Sequence, residues 1–202
     1  MPTLIYFHDP MCSWCWGYRP AAQELFAHLP PEVTRRNVLG GLAPDSDEPM
    51  PKSQRQVVMG HWRRIEAMLG TRFNFDFWKK CAPRRSTYPA CRAVIAAANQ
   101  GREEEMTLAI QKAYYVEASN PSDTKTLKQL AKKLRLDAKR FEADLESKAT
   151  DQALKEQIGY ARRVGVDSFP TLALERDGRL KRITVDYLSY RTSLAEIEAL
   201  LG

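Results

Sequence analysis

Long apolar runs are absent from this 202-residue sequence, and cysteine is scarce. No segment approaches the run of about eighteen apolar residues that a membrane-spanning helix needs, which excludes such a helix and makes a membrane partner unexpected. Four cysteines in a chain of this length are too few for a fold that is stabilised mainly by disulfide bonds. No basic run of five or more residues and no aromatic-interleaved basic motif occurs, so nucleic acid is not an expected partner either.

The features of a secretion signal are also missing. Residues 1–8 read MPTLIYFH and contain neither a basic segment nor a cleavage site of small residues. We therefore expect a cytoplasmic protein, in a compartment where thiols are kept reduced.

What the sequence does contain is an uneven distribution of charge. The formal net charge is +6, but residues 51–150 hold 20 Lys and Arg against 11 Asp and Glu, a net charge of +9. The rest of the chain holds 11 basic and 14 acidic residues, a net charge of −3. This asymmetry indicates two regions with different partners or different histories, and the simplest interpretation of the basic excess is a solvated helical surface. The basic region would attract a carboxylate-bearing partner such as glutathione.

The first 45 residues predict a strand, a helix and a second strand. Residues 3–8 are β-branched and aromatic, as in a buried strand. Apolar residues then recur every three or four positions over residues 12–29, which predicts a helix with Pro20 inside it. Residues 33–42 predict the second strand. This βαβ unit places a pair of cysteines at the start of its helix.

The middle of the chain is helical almost throughout, and the β signal returns near the end. The predicted helices are residues 53–69, 86–100, 102–118, 124–135, 137–148 and 150–164. Strands are predicted at residues 169–174 and 179–185, joined by a hairpin turn at Asp177-Gly178, and a helix at residues 193–201 follows. The sequence therefore predicts an α/β fold that is interrupted by a helical segment.

The strongest chemical signal is Cys12-Ser13-Trp14-Cys15 at the start of the first helix. Free backbone N–H groups and the positive end of the helix dipole favour a thiolate at the first cysteine, and the second is placed to attack a mixed disulfide formed there. We therefore predict Cys12 as the exposed nucleophile and Cys15 as the buried resolving thiol. A zinc half-site is the alternative, but no second pair of ligands is present, so no metal site is predicted.

A second signal lies at the entry to the third strand. Pro170 is a candidate cis-proline, which would present the backbone of Phe169 to an extended peptide lying across the cysteine pair. A trans proline that begins an edge strand is the alternative. Trp14 should be exposed between the cysteines and is a predicted substrate contact, whereas Trp16 and Tyr18 are predicted to be packing residues.

The roles of several other residues stay open. His8 is expected to be a hydrogen-bonded strand histidine, with tuning of the first thiolate as the alternative. Asp9 and Glu24 are candidates for the proton acceptor of the buried thiol. Cys81 and Cys91 are expected to be two unconnected core thiols, with a second redox pair as the alternative.

Two short windows carry a resemblance to a known family. Residues 9–17 (DPMCSWCWG) with Pro20, and residues 165–171 (GVDSFPT), resemble the DsbA-like branch of the thioredoxin superfamily, and within it the FrnE-like group. The resemblance implies a thioredoxin fold with an inserted all-helical domain. The predicted domains are a discontinuous thioredoxin-like domain of residues 1–48 and 151–202, and an inserted helical domain of residues 49–150.

The resemblance also implies a function, that of a protein-disulfide oxidoreductase or isomerase. Cys12 would attack, Cys15 would resolve, and Pro170 would be the cis-proline beside them, with Trp14 and Phe169 contacting the substrate. The implied partners are protein or peptide thiols and disulfides. No cofactor is predicted, although glutathione is a candidate co-substrate, and the protein would be a monomer or a homodimer.

The sequence departs from the family in ways that bear on activity. Ser13-Trp14 stands where strongly oxidising periplasmic members have Pro-His, which predicts a less oxidising couple that acts as a reductase or isomerase in a reducing cytosol. The bulky Phe169 is expected to narrow the substrate groove.

Two alternative functions remain open on the same fold. One is a glutathione-dependent isomerase or transferase of the 2-hydroxychromene-2-carboxylate isomerase type, which would need no second cysteine, so Cys15 argues against it. The other is a non-enzymatic protease-adaptor module, which would need a binding surface and not a reactive thiol.

Overall fold

A four-stranded mixed sheet organises the fold, in a computed structural model that describes residues 1–202. Its order is β2-β1-β3-β4, with strands β1 (Thr3–His8), β2 (Thr34–Leu39), β3 (Thr171–Arg176) and β4 (Arg179–Ile183). β1 pairs parallel with β2 and antiparallel with β3, and β3 pairs antiparallel with β4. The predicted strands are confirmed, and the predicted turn between β3 and β4 has positive φ at Asp177 and Gly178, as a tight hairpin requires.

Nine helices complete the fold, and every predicted helix is present. They are α1 (Ser13–Ala27), α2 (Lys52–Leu69), α3 (Phe77–Lys80), α4 (Tyr88–Ala98), α5 (Glu103–Tyr115), α6 (Thr124–Lys133), α7 (Ala138–Leu145), α8 (Lys148–Arg163) and α9 (Tyr190–Leu201). The sequence pattern missed α3, because one turn is too short to show a helical period. No helix combines the length and the apolar character that crossing a bilayer would require.

The inserted helices contain the largest hydrophobic core of the molecule. It comprises 25 buried residues, among them the fully buried Trp62 of α2. The Trp62 ring stacks on Phe73 at 5.1 Å and meets Tyr115 edge to face at 5.4 Å. Clusters of 11 and 6 buried residues cover the two faces of the sheet, as the alternating side chains of β1 require.

The carboxylate of Asp9 ties the sheet to the helices. It accepts hydrogen bonds from the Met11 N–H at 2.8 Å, the Leu42 N–H at 2.7 Å and the Thr87 hydroxyl at 2.7 Å. These donors lie in the turn before α1, in the segment after β2 and immediately before α4. One buried side chain therefore fixes the relative positions of three segments around the start of α1.

The chain shows the α/β fold with a helical insertion that the sequence predicts, while the exact domain limits stay a prediction. Most of α8 falls in the predicted thioredoxin-like domain, and the helix packs against both β2 and α4. The Leu39 N–H of β2 donates to Gln157 Oε1 of α8 at 2.7 Å. We propose residues 1–48 with 151–202, and 49–150, as the two domains, with the boundary in the first turn of α8, which contacts both.

Candidate active site

Cys12 and Cys15 occupy the N-terminal end of α1. β1 ends at His8, and the turn that follows is closed by the Cys12 N–H, which donates to the Asp9 carbonyl at 3.0 Å. Cys12 is the N-cap residue in an extended conformation, and no side chain caps the helix. The positive end of α1 therefore lies beside Cys12 without a competing acceptor.

The exposure of Cys12 differs from the prediction. Its relative exposure is 6%, whereas Cys15 is fully buried as expected. Cys12 is covered because neighbouring residues of the turn and of the Phe169 loop surround it, and its Sγ atom donates a hydrogen bond to the Phe169 carbonyl at 3.3 Å. The Cys12 side chain still lines an open cavity of about 600 Å³, so a substrate entering that cavity would meet it.

The carbonyl of Phe169 lies opposite the first cysteine, and the residue after it is Pro170. The Phe169–Pro170 peptide bond is cis. The Phe169 ring also lines the cavity, and it lies against Gly40, where a side chain would collide with it. The structure thus brings Cys12, Trp14 and Phe169 to one cavity, whereas Cys15 and Pro170 are not among the residues that line it.

Trp14 is half-buried, and the prediction of an exposed indole is wrong in that respect. Its ring lies edge to face with Tyr187 at 5.4 Å and with His61 at 6.4 Å, and the Arg64 guanidinium approaches it at 5.8 Å. These contacts cover part of the indole and leave the remainder to line the cavity beside Cys12.

Trp16 and Tyr18 pack as predicted. Tyr18 is fully buried in the cluster on one face of the sheet. The Trp16 ring stacks on Tyr115 of α5 at 5.8 Å with an interplanar angle of 15°, and its Nε1–H donates to the Arg72 carbonyl. The helix that carries both cysteines is therefore packed directly against the inserted helices.

The two candidate proton acceptors lie in very different places. Asp9 is fully buried, and burial raises the pKa of its carboxyl while its hydrogen bonds from Leu42, Thr87 and Met11 lower it. Glu24 is exposed on the outer face of α1, where it lies 3.9 Å from His28. Glu24 is therefore not a neighbour of the buried thiol.

Burial determines the protonation state of the second cysteine, Cys15. It raises the pKa of the Cys15 thiol well above its usual value, and the neighbouring Cys12 sulfur raises it further. At neutral pH Cys15 consequently stays a protonated thiol and can act only when its proton is removed.

His8 does not make the hydrogen bond expected of it. Neither of its ring nitrogens has a partner, although the side chain is buried. The ring stacks on Tyr6 at 4.9 Å with an interplanar angle of 4°. Burial lowers the pKa of His8 to about 4, with Arg35 and Arg19 contributing, so the ring is neutral at pH 7.

All four cysteines are free thiols. Cys81 and Cys91 make hydrogen bonds to different partners. The Cys91 sulfur is fully buried and donates to Asp9 Oδ2 at 3.5 Å. The Cys81 sulfur donates to the Ala118 carbonyl at 3.1 Å and is only partly buried, so the prediction of a core thiol fails for this residue. The structure does not bring the two together.

Sequence reasoning missed the basic side chains that the helical insertion brings to the cavity. His61, Arg84 and Arg85 line it together with Cys12. No local motif marks these residues, since they lie far from the cysteines in sequence. The only signal was the net charge of +9 over residues 51–150.

The sheet is interrupted by helices, a Cys-x-x-Cys pair lies at a helix N-terminus, and the carbonyl before a cis-proline faces the first sulfur. These features define a DsbA-like protein of thioredoxin fold. The family model described as Thioredoxin matches residues 6–181, and the chain belongs to this family.

Solved structures similar to this chain include disulfide-exchange proteins. DsbM, the cytosolic disulfide reductase of Pseudomonas aeruginosa, is 30% identical with a TM-score of 0.79, covering 98% of both chains. A second DsbM structure, solved with GSH, is 27% identical with a TM-score of 0.78 and the same coverage. A Nitrosomonas europaea protein provisionally named a protein disulfide isomerase is 27% identical with a TM-score of 0.86, covering 99% of this chain and 97% of its own.

The curated relatives have a different description. The ClpXP adapter protein SpxH of Bacillus subtilis is 27% identical over 175 residues, which cover 85% of this chain and 58% of the relative. SpxH of Halalkalibacterium halodurans is 26% identical over 183 residues, 87% of this chain and 60% of the relative. The chain therefore spans about three fifths of the length of the curated relatives it matches.

Proposed function

We propose that this protein is a thiol–disulfide oxidoreductase of the FrnE-like type, in which Cys12 exchanges disulfides with protein or small-thiol substrates and Cys15 resolves the mixed disulfide. The observation that carries this proposal is the asymmetry of the pair. Cys12 lines the open cavity and lies 3.3 Å from the Phe169 carbonyl, whereas Cys15 is fully buried beneath it.

The exchange reaction would proceed in two steps. The Cys12 thiolate attacks one sulfur of a substrate disulfide, the substrate S–S bond breaks, and one substrate thiolate leaves with the bonding electron pair. The Cys15 sulfur then attacks Cys12, which releases the second substrate thiol and leaves a Cys12–Cys15 disulfide. Reduction of this disulfide takes two electrons, which two molecules of an external thiol supply as they become a disulfide themselves, and glutathione is the candidate.

The walls of the cavity suggest how substrates would be held. Trp14 and Phe169 offer apolar ring surface in the cavity that Cys12 lines, and we assign both to substrate contact. Pro170 would act indirectly, because it sets the backbone of Phe169 that an extended substrate would lie against.

Arg85 supports a carboxylate-bearing co-substrate. Its side chain is exposed, lines the cavity and makes no ion pair. Arg84 beside it is engaged by Asp123 at 2.8 Å and by the Ser122 carbonyl at 2.7 Å. Glutathione carries carboxylates and a thiol, so its sulfur could react at Cys12 while a carboxylate pairs with Arg85. One of the similar DsbM structures was solved with GSH, which supports glutathione as the candidate co-substrate.

We further propose that the reaction runs in the reducing direction in the cytoplasm. The similar DsbM is a cytosolic disulfide reductase. Ser13-Trp14 between the cysteines lacks the imidazole that strongly oxidising members carry, which also favours a reductase. Isomerisation would use the same first step, with the substrate itself resolving the mixed disulfide.

Cysteine variants test this function. Purified protein would be incubated with glutathione, its reductase and a glutathionylated peptide. Cys12→Ser should abolish peptide reduction, and Cys81→Ser should retain the wild-type rate as the matched control. With the glutathionylated peptide alone and no free glutathione, Cys15→Ser should accumulate a trapped mixed disulfide at Cys12. Wild-type activity in the Cys12→Ser protein would contradict the proposal.

A second candidate function is a protein adapter, which the SpxH relatives favour. An adapter would bind its client through surface contacts, with no requirement for the Cys12 sulfur. A double variant Cys12→Ser/Cys15→Ser separates the two functions. Client delivery to a ClpXP protease by the double variant, together with an unreactive wild-type Cys12 in thiol-trapping, would establish the adapter in place of the enzyme.

A further inference from the structure

A second cavity lies on the far side of Cys15 from the substrate cavity. It has a volume of about 50 Å³, which is room for about three water molecules. Tyr6 and His8 of β1, Cys15 and Arg19 of α1, and Gln111 of α5 contribute to its walls. It therefore joins the buried thiol to polar side chains of three different elements.

His8 is the unusual member of this cavity. It is 2% exposed, and both of its ring nitrogens lack a protein partner. Buried polar atoms are nearly always hydrogen-bonded, so two unpartnered nitrogens on one ring require an explanation. A neutral imidazole has one donor and one acceptor nitrogen and can bond to water on both. Stacking on Tyr6 at 4.9 Å fixes the plane of the ring.

Cys15 needs a route for its proton, and no carboxylate supplies one. The Asp9 oxygens already accept from the backbone and from Thr87 and Cys91, and Glu24 lies at the surface. Glu104, the carboxylate that lines the cavity, is exposed and engaged by Arg35. The Tyr6 hydroxyl and His8 are the polar groups of β1 that share the cavity with the Cys15 sulfur. Burial raises the pKa of the Tyr6 hydroxyl well above its usual value, and the nearby Cys15 sulfur raises it further, so the phenol stays protonated at neutral pH.

We propose that the cavity behind Cys15 is the path by which its proton leaves and returns, with His8 as a neutral relay between the Cys15–Tyr6 pair and solvent. This inference rests on the proposed function. When the Cys15 sulfur attacks the Cys12 mixed disulfide, the Cys15–Cys12 bond forms and the bond from Cys12 to the substrate sulfur breaks. The Cys15 proton passes through Tyr6 and cavity water to one nitrogen of His8, while the other nitrogen releases a proton outward.

The surroundings of His8 favour a neutral imidazole, so the ring would pass a proton on without becoming positively charged itself. Arg19 of α1 and Arg35 of β2 line the same cavity, and their positive charges oppose a protonated ring. Glu104 of α5 pairs with Arg35 at the outer end and is exposed, as is Gln23 of α1. The cavity therefore leads from the buried sulfur to side chains in contact with solvent.

The test uses an aromatic disulfide, dithionitrobenzoate, added to the reduced full-length protein. Attack by Cys12 releases one coloured thiolate, and resolution by Cys15 releases a second, so the two steps are separate in stopped flow. In the second step the leaving thiolate needs no proton, and the only proton in transit is that of Cys15. His8→Phe keeps a ring that can stack on Tyr6 and removes both nitrogens.

We expect His8→Phe to leave the first release unchanged and to slow the second by at least about tenfold, as for loss of a proton-transfer group. The second release should depend weakly on pH in the wild type, and in His8→Phe should rise about tenfold for each pH unit, because hydroxide must then remove the proton. Tyr6→Phe should slow the same step. His28→Phe, which alters an exposed histidine stacked on Tyr190, is the matched control and should match the wild type.

Two results would overturn the inference. Equal second-release rates and equal pH slopes in the wild type and His8→Phe would show that the proton leaves by another path. A wild-type protein that releases only one equivalent would contradict the proposed function itself, since Cys15 would not resolve. If His8→Phe folds poorly, its first release would fall as well, and His8→Gln, which keeps a polar side chain and should recover part of the second rate, decides the case.

Discussion

The Phe169 ring lies so close to Gly40 that a Cβ atom at Gly40 would come within 1.8 Å of the Phe169 Cζ atom. The carbonyl of the same phenylalanine accepts the hydrogen bond from the Cys12 sulfur at 3.3 Å. The absence of a side chain at Gly40 therefore determines where the backbone opposite the reactive sulfur can lie.

Gly40→Ala should impair disulfide exchange. The alanine methyl must displace the Phe169 ring, and a shift of about 1 Å near a reacting centre can cost about a hundredfold in rate. We expect the rate of peptide reduction to fall by one to two orders of magnitude, while far-ultraviolet circular dichroism stays native. Gly60→Ala, in α2 with open space around the added Cβ, is the control. It should keep the wild-type rate and gain about 0.5–1 kcal/mol in stability. An unchanged rate in Gly40→Ala would show that Phe169 does not position the substrate.

Arg85→Glu should weaken the use of glutathione-bearing substrates. Reversal of this exposed charge in the cavity replaces attraction to a carboxylate by repulsion, worth about 1–2 kcal/mol near a protein surface, or roughly tenfold in KM. The salt dependence of kcat/KM should diminish in parallel. Arg179→Glu on β4, an exposed arginine outside the cavity, makes the same charge change and should behave as wild type. Equal KM values in the two variants would exclude Arg85 from the binding site.

His8 should make the stability of the protein sensitive to acid. Its pKa is about 4 in the folded protein against 6.5 as the ordinary value. As the pH falls, His8 takes up a proton in the unfolded chain before it does so in the folded protein. The free energy of unfolding therefore has its full value above pH 6.5 and decreases between pH 6.5 and 4. The loss amounts to about 3 kcal/mol. Urea unfolding at several pH values should show this decrease in the wild type relative to His8→Phe, and parallel pH profiles would contradict it.

Trp62→Ala should test the core of the inserted helices. The fully buried indole packs against several aromatic rings, so its removal leaves a large cavity and should cost about 3–5 kcal/mol in the free energy of unfolding. Met68→Ala alters an exposed residue of the same helix and should change stability by less than about 0.5 kcal/mol. A similar denaturation midpoint for both variants would indicate that the helical core contributes little to overall stability.

The order of elements was accessible from the sequence because their signals are local. The β-branched and aromatic run of residues 3–8 and the Asp177-Gly178 turn each specify their structure within a few positions. The start of α9 at Tyr190 was placed three residues late, since Ser189 caps the helix before its apolar pattern begins.

The surroundings of the cysteines were less accessible, because they depend on contacts between distant segments. The burial of Cys12 comes from packing around the Phe169 loop, and the covering of Trp14 comes from Tyr187 and His61. The unpartnered state of His8 was missed for a similar reason. A histidine at a strand end gives no sign of whether a cavity or an acceptor will face its ring.

The distance along the chain between Cys12 and Phe169, 157 residues, determines when reactivity can first appear. A chain emerging from the ribosome displays both cysteines early, but the strand that pairs with β1 on its second side follows after all the inserted helices. Until then the thiols have no opposing backbone to align a substrate disulfide. Nascent chains and truncated fragments would thus carry the Cys-x-x-Cys sequence without the Phe169 backbone opposite it. Efficient disulfide exchange would therefore begin only when nearly the whole chain has been synthesised and folded.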